Sequence, residues 1–438
     1  MVKKIICLIL GFILSFILCG CDFFAADTAE LLSPPALSGE LNAINEAINK
    51  SAGGAYTLKY PSRGNYRSAV VQEDINEDGI LEAFAFYSMS DGETSTMNIG
   101  YVRKTENEWQ SIAQQKIVAG GVDMIQFCDL DGDGVKEILV GWEIYGTSEM
   151  QLAVYSATEN TLTQQMLQRY THFTTCNLNE DGKNEIFVVR VGLADQPNTA
   201  SLFELSGNGV VELSSCELDV AAKTVNAPVV STLSTGKPAI YIDEIKGVGA
   251  VTEVLFMEKG VLVNPLFQPD IKETISTLRS ATVSIKDINN DGVLEIPVQE
   301  NLPSVTRSQV NEKLYMTNWC SYNGELLTNQ LVTVINAIDS YYYIIPARWV
   351  GNIAVLKDTE NKVREFYKYN SEDMTVGESL LYIKAVKKSD WDSSKNKDGK
   401  TFEIMNNGET SFICRISDVA ASEGLTEENV KANFKLFE

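Results

Sequence analysis

Histidine, basic charge and paired metal-binding cysteines are scarce in this chain. A single histidine, His172, occurs in 438 residues. A Ser-His-Asp or Cys-His relay would have to be built around it, and the chain has no Gly-x-Ser-x-Gly elbow. Beside Phe173 on a strand-like run, His172 reads as a packing or surface residue. Lys and Arg number 36 against 59 Asp and Glu, a net charge of −23, which argues against nucleic acid and anionic lipid as partners. Phosphate-cradling loops are missing, because Gly247-Val-Gly249 lacks a third glycine and a following helix. Three of the eight cysteines, Cys7, Cys19 and Cys21, belong to the extreme N-terminus. The other five (Cys128, Cys176, Cys216, Cys320 and Cys414) are odd in number, and no pair has metal spacing. They are expected to be buried thiols rather than disulfides.

What the chain does have is one nine-residue pattern, four times over. The copies are Asp74-Ile-Asn76-Glu-Asp78-Gly79-Ile-Leu-Glu82, Asp129-Leu-Asp131-Gly-Asp133-Gly134-Val-Lys-Glu137, Asn177-Leu-Asn179-Glu-Asp181-Gly182-Lys-Asn-Glu185 and Asp287-Ile-Asn289-Asn-Asp291-Gly292-Val-Leu-Glu295. Oxygen-bearing side chains stand at positions 1, 3, 5 and 9, and Gly always at 6. A hard cation such as Ca²⁺ takes about six to eight oxygens, which a tight loop supplies at this spacing. An EF-hand would need a Glu at position 12 and flanking helices. Position 12 is instead Ala85, Val140, Val188 and Val298, and the flanks are β-branched and aromatic runs such as Ala83-Phe-Ala-Phe-Tyr87. The unit reads as strand, calcium loop, strand.

That unit resembles the FG-GAP or VCBS-type repeat of calcium-binding β-propellers, as in the head of integrin α-chains. The resemblance implies Ca²⁺ on the sixteen residues at positions 1, 3, 5 and 9 of the four copies. The Phe-Gly and Gly-Ala-Pro signatures of integrin repeats are absent, so integrin-like ligand binding is not implied.

The motif starts at residues 74, 129, 177 and 287, a period of about 50 with one copy missing. A decayed copy is expected over Ala239 to Phe256, keeping the strands and Asp243 but not the middle ligands. Each period carries a second hairpin, for example Gln151-Leu-Ala-Val-Tyr155 with Asn160 in the turn. Four strands per period make a propeller blade. The expected fold is all-β, a propeller of six or seven four-stranded antiparallel blades over residues 53–378, with a small α+β appendage or closing blade over 379–438. Trp109, Trp142, Trp319, Trp349 and Tyr341-Tyr-Tyr343 are expected to pack between blades rather than to line a sugar- or peptide-binding face.

At the front, Lys3 and Lys4 precede an apolar run, Ile5 to Leu18, that is short for a membrane span. It ends in Leu18-Cys19-Gly20-Cys21, which resembles a bacterial lipobox. The resemblance implies a signal peptide over residues 1–20, lipidation of Cys21 and an anchor on the outer face of the cell membrane. A tether and a short helix with Leu41, Ile44 and Ile48 on one face are expected over 21–52.

Together these features predict an extracytoplasmic lipoprotein whose calcium-stabilised propeller serves as a binding or scaffolding module for an unidentified protein or polysaccharide. No catalytic residue stands out, and a non-enzyme is expected. Glycoside hydrolysis needs only two carboxylates, so a carbohydrate-active lyase or hydrolase is the first alternative. An envelope assembly factor is the second.

Overall fold

The computed structural model describes residues 39–90, 95–193, 196–207, 209–280, 282–303, 305, 313–394 and 399–437. The expected signal peptide, Cys21 and the tether before residue 39 lie outside the described residues. Helix α1 (Gly39–Ala52) opens the described chain, and Gly53 ends it with φ +67°, a left-handed angle that glycine adopts without strain. No helix among the described residues is long and apolar enough to cross a membrane.

The rest is predominantly antiparallel β, arranged in six sheets and one extra hairpin. The first sheet holds β1 (Tyr56–Leu58), β2 (Val70–Glu73), β3 (Glu82–Ser90), β4 (Ser95–Thr105) and β5 (Glu108–Val118). The second is a meander of β6 (Gly121–Cys128), β7 (Glu137–Glu143), β8 (Met150–Ala157) and β9 (Leu162–Tyr170). The third repeats it with β10 (His172–Cys176), β11 (Glu185–Arg190), β12 (Thr199–Ser206) and β13 (Gly209–Glu217). The fourth contains β14 (Thr224–Val225), β15 (Val229–Thr232), β16 (Pro238–Lys246), β17 (Gly249–Glu258) and β18 (Val261–Val263). The separate hairpin is β19 (Phe267–Gln268) with β20 (Glu273–Thr274), while β21 (Arg279–Ser280) adds to β17. The fifth sheet runs β22 (Ile296–Leu302), β23 (Leu314–Tyr322), β24 (Leu327–Asn336) and β25 (Tyr341–Ile344). The sixth has β26 (Ile353–Asp358), β27 (Val363–Asn370), β28 (Thr375–Lys387), β29 (Thr401–Asn406) and β30 (Thr410–Ile416).

Inner strands lose the alternation of a one-sided sheet because both faces are covered. On β7, Ile138, Val140 and Trp142 face the first sheet, while Leu139 faces the third. On β11, Ile186 and Val188 pack toward the second sheet, and Phe187 and Val189 toward the fourth. Such a strand reads as a continuous apolar run while keeping its period of two. Further apolar clusters join the fourth sheet to the fifth and the fifth to the sixth. Outer strands such as β5 alternate between exposed and half-buried. Trp142, Trp319, Trp349, Tyr341 and Tyr343 are buried in these layers, as packing between sheets requires. No apolar cluster among the described residues joins the sixth sheet to the first. The outer face of the first sheet is instead covered by α1, with Ile44, Ala47 and Ile48 against Ala83, Ala85 and Tyr87.

Two expectations need correction. The boundary at residue 378 falls inside β28, which pairs with both β27 and β30. The described residues from 379 to 437 therefore form no separate appendage and follow the other expectation, a closing element: they complete the sixth sheet, and β31 (Phe434–Leu436) adds an edge to the fifth beside β25. Helices α2 (Lys388–Ser394), α3 (Asp418–Ser422) and α4 (Glu427–Asn433) connect these strands. Val430 and Phe434 are wholly buried in the core between the two sheets, which is what ties the segment down. The decayed repeat is also misplaced in sequence. Asp243 and Glu253 lie within β16 and β17, opposite Thr252 and Ile242. The position equivalent to the nine-residue loops is the turn before β16, where Leu233 N–H donates to the Lys237 carbonyl over 2.8 Å and no acidic residue intervenes. The five described cysteines are unpaired thiols, buried or half-buried.

Buried charges hold the fourth sheet instead of a loop. Arg279 Nη2 lies 2.6 Å from Asp243 Oδ1, and both residues are buried. Asp243 also accepts from Thr252 Oγ1 at 2.6 Å and from Ile285 N–H at 3.0 Å. Nearby, Asp219 takes Lys246 Nζ at 2.9 Å, and burial pushes the unpartnered Glu244 carboxyl well above its ordinary range, with Glu253 adding to the rise.

Candidate functional site

Each of the four nine-residue segments is a loop joining two antiparallel strands at one end of a sheet. The residue before position 1 pairs with the Glu at position 9: Glu73 with Glu82, Cys128 with Glu137, Cys176 with Glu185, and Lys286 with Glu295. The position-9 carboxylate is buried and accepts the N–H of position 2 in every copy, at 3.2 Å from Ile75, 3.1 Å from Leu130, 2.8 Å from Leu178 and 3.0 Å from Ile288. Glycine at position 6 has φ +83°, +87°, +91° and +87° in the four copies. Position 4 is left-handed too, at Glu77, Gly132, Glu180 and Asn290 (φ +58°, +75°, +63° and +61°). Three of these are non-glycine residues in a sparsely populated region, a local strain held by the surrounding loop. The sequence reading missed position 4 because its residue type varies.

Position 1 draws the turn together. Asp129 Oδ2 accepts Gly134 N–H at 3.0 Å, and Asp74 and Asp287 accept their Gly N–H at 2.9 Å each. In the third loop the corresponding Asn177 Oδ1 is buried with no hydrogen-bond partner. A buried orphan oxygen at a ligand position fits a cation among these oxygens. In the second loop, carboxylate oxygens of Asp129, Asp131 and Glu137 lie within 4.8 Å of one another. Burial pushes the Glu137 carboxyl up to about 7, with Asp131 and Asp133 adding to the rise. Burial likewise raises Glu82, Glu185 and Glu295.

Neighbouring loops touch through position 8. Lys136 Nζ donates to the Asp74 carbonyl at 3.3 Å and Glu73 Oε1 at 2.7 Å, while Asn184 Nδ2 donates to the Asp129 carbonyl at 3.1 Å. The first three loops therefore stand side by side at the same end of their sheets. By carboxylate count at positions 1, 3, 5 and 9, the second loop has four and the third two, Asp181 and Glu185. Ligand charge tunes calcium affinity. Asp133→Ala is expected to remove the tighter phase of a calorimetric calcium titration, and Asp181→Ala to leave it intact. Loss of the tight phase in Asp181→Ala would mean that rigidity, not charge, sets the order.

At the opposite end of the strands lies a cleft of about 530 Å³. It is lined by the link between β1 and β2, the β7–β8 turn, the β9–β10 junction, the end of β11 and β14. Its centre is Asp123 on β6, 1% exposed, held bidentately by Arg63 with both N···O distances 2.6 Å. Tyr170 Oη donates to the same carboxylate. Burial pushes the Asp123 carboxyl up, but the hydrogen bonds from Arg63 and Tyr170 outweigh it, so the group sits below the usual range. Burial and Asp123 together push the Tyr170 phenol up. A side chain at Gly141 would collide with the Tyr170 hydroxyl, which explains a glycine in the middle of β7. That glycine was the one sequence signal of the close approach. His172 lines the cleft as well. Its Nε2 lies 2.8 Å from the Val225 carbonyl, and burial holds its pKa low, so the ring is neutral with the proton on Nε2. Sequence reasoning did not bring this group together because its lining comes from six separate segments.

No family model and no curated protein matches the chain. Solved structures do, distantly. One is an exotype rhamnogalacturonan lyase, 11% identical, covering 74% of this chain and 83% of its own, with a TM-score of 0.31. A Bacillus licheniformis rhamnogalacturonan lyase is 12% identical, covering 82% of this chain and 91% of its own, with a TM-score of 0.30. An exo-beta-1,3-galactanase from Phanerochaete chrysosporium is 8% identical, covering 76% of this chain and 79% of its own, with a TM-score of 0.25. The expectation of a non-enzyme is corrected on this finding, since these neighbours are named as lyases and a galactanase.

Proposed function

We propose that the chain is a carbohydrate-active protein of the cell envelope, built on calcium-stabilised propeller-type repeats and lipid-anchored through Cys21. The observation that carries this reading is the contrast between the two ends of the same strands. Loops rich in side-chain oxygens close one end, and a polar, charged cleft opens at the other. Along β11, from Glu185 to Arg190, the separation is about 16 Å at roughly 3.3 Å per residue. A cation in the loops therefore acts on the cleft through the rigidity of the sheets and not by touching a ligand there.

The oxygens at positions 1, 3, 5 and 9 of the four loops would hold Ca²⁺. The ion would neutralise clustered carboxylates and fix the turn between two strands. The six sheets would supply the blades of a propeller-type array, in which consecutive sheets pack face to face and α1 covers the outer face of the first. A panel of neutral and acidic polysaccharides, assayed for binding and for release of shortened products, tests the carbohydrate reading. Absence of both across the panel would overturn it. The anchor has its own test. Cys21→Ser is expected to abolish labelled palmitate incorporation, because only a thiol forms the thioether, and wild-type labelling of the variant would sink the lipobox reading.

A further inference from the structure

We propose that the cleft takes an acidic sugar segment, with carboxylate or sulfate groups seated on Arg63, Arg169, Arg190 and Lys223. This deepens the carbohydrate reading above and rests on it. The first support is an inversion of charge. Acidic residues outnumber basic ones 59 to 36 over the chain, yet the cleft is lined by these four cations against two carboxylates, Asp123 and Glu149. Local positive charge on an acidic protein is focused where a low-dielectric wall surrounds it.

The state of each cation is the second support. Arg63 is pinned by the buried Asp123, so its guanidinium is held in one orientation while its side chain stays 41% exposed. A pre-set guanidinium loses little freedom when it meets an anion. Arg169 is paired with Glu149 at 3.2 Å, and its side chain is 49% exposed. An exposed pair of this kind is weak, and an incoming anion replaces it readily. Arg190 donates to the neutral Gln196, which leaves its charge uncompensated by that contact. Lys223 is exposed and has no ion-pair partner among the described residues.

Sugar, rather than another polyanion, is favoured by the remaining lining. Nδ1 of the neutral His172 is an acceptor for a hydroxyl, since Nε2–H is committed to Val225. Met150 and Leu193 offer apolar surface to the C–H faces of a ring. Among the described residues the rings of the cleft are Tyr170, buried against Asp123, and His172, held on the Val225 carbonyl, so no exposed pair of large rings stands ready to stack nucleobases. A volume of 530 Å³ lies within the range of about 300–1,000 Å³ of ordinary ligand sites and suits a short oligosaccharide.

The test is calorimetric titration of the full chain in 1 mM Ca²⁺ with oligogalacturonate, neutral oligogalactan and poly-glutamate. Oligogalacturonate is expected to bind, and to weaken as salt rises, because opposite charges are screened over about 10 Å at 0.1 M. Arg190→Gln combined with Lys223→Gln is expected to weaken it at least tenfold with an unchanged melting temperature. The single charge reversal Lys223→Glu, at an exposed position, gives the same direction if the double variant folds poorly. Equal binding of neutral and acidic oligosaccharides, indifferent to these substitutions, would overturn the acidic-ligand inference and leave the carbohydrate reading standing. Poly-glutamate binding as tightly as oligogalacturonate would overturn the assignment to sugar in favour of an acidic peptide. Binding of no oligosaccharide at all would overturn both readings.

Discussion

Chelation of calcium is expected to lower the melting temperature of the protein by about 10 °C, and readdition of Ca²⁺ to restore it. Extracellular calcium modules bind at roughly 10⁻⁴ to 10⁻³ M. A site of 10⁻⁴ M in millimolar Ca²⁺ adds about 1.4 kcal/mol by mass action. Four such sites sum to roughly 5–6 kcal/mol, a large share of ordinary domain stability. At about 2 °C per kcal/mol for a chain of this size, that gives the shift. Mg²⁺ is expected to do much less, because it demands a tighter octahedron and sheds water reluctantly. Differential scanning calorimetry in EDTA, Ca²⁺ and Mg²⁺ reads all three states. An identical melting temperature in EDTA and in excess Ca²⁺ would reduce the loops to ordinary turns.

A loss of similar size is expected from Arg279→Ala. Arg279 and Asp243 are both buried, 2.6 Å apart, in the sheet that has a plain turn where its neighbours have an oxygen-rich nine-residue loop. Removing the guanidinium leaves Asp243 as an uncompensated buried carboxylate, at a cost of about 3–5 kcal/mol. Thr252 and Ile285 still donate to it, which places the loss toward the lower end of that range. The double variant Arg279→Met with Asp243→Asn removes both charges and keeps most of the volume, and is expected to recover more than half of the loss. Denaturant unfolding of the three proteins measures this directly. A loss under 1 kcal/mol in Arg279→Ala would show that the pair is already hydrated and holds nothing together.

The loops were legible in the sequence because their chemistry is local. Spacing alone placed Asp129, Asp131, Asp133 and Glu137 in one turn, and the apolar runs after each Glu became the doubly buried strands β3, β7 and β11. The helix face of Ile44 and Ile48 was legible for the same reason. What failed was non-local. A run such as Leu380 to Val386 looks like a strand, but nothing in it says that it lies between β27 and β30. The fourth sheet misled because Asp243 and Glu253 look like relics of ligands, whereas Asp243 faces Arg279, 36 positions away. The cleft was illegible for the same reason: Arg63 and Asp123 are 60 residues apart, and Tyr170 reaches the same carboxylate only because Gly141 lacks a side chain.

Metal content, read site by site, tests the account most directly. Crystals grown in Ca²⁺ and measured at a long wavelength are expected to show anomalous peaks in all four loops, strongest between Asp129, Asp131, Asp133 and Glu137. No peak is expected at Asp243, where Arg279 supplies the positive charge. Loops free of anomalous density at millimolar Ca²⁺, in a protein that is fully folded, would contradict the account.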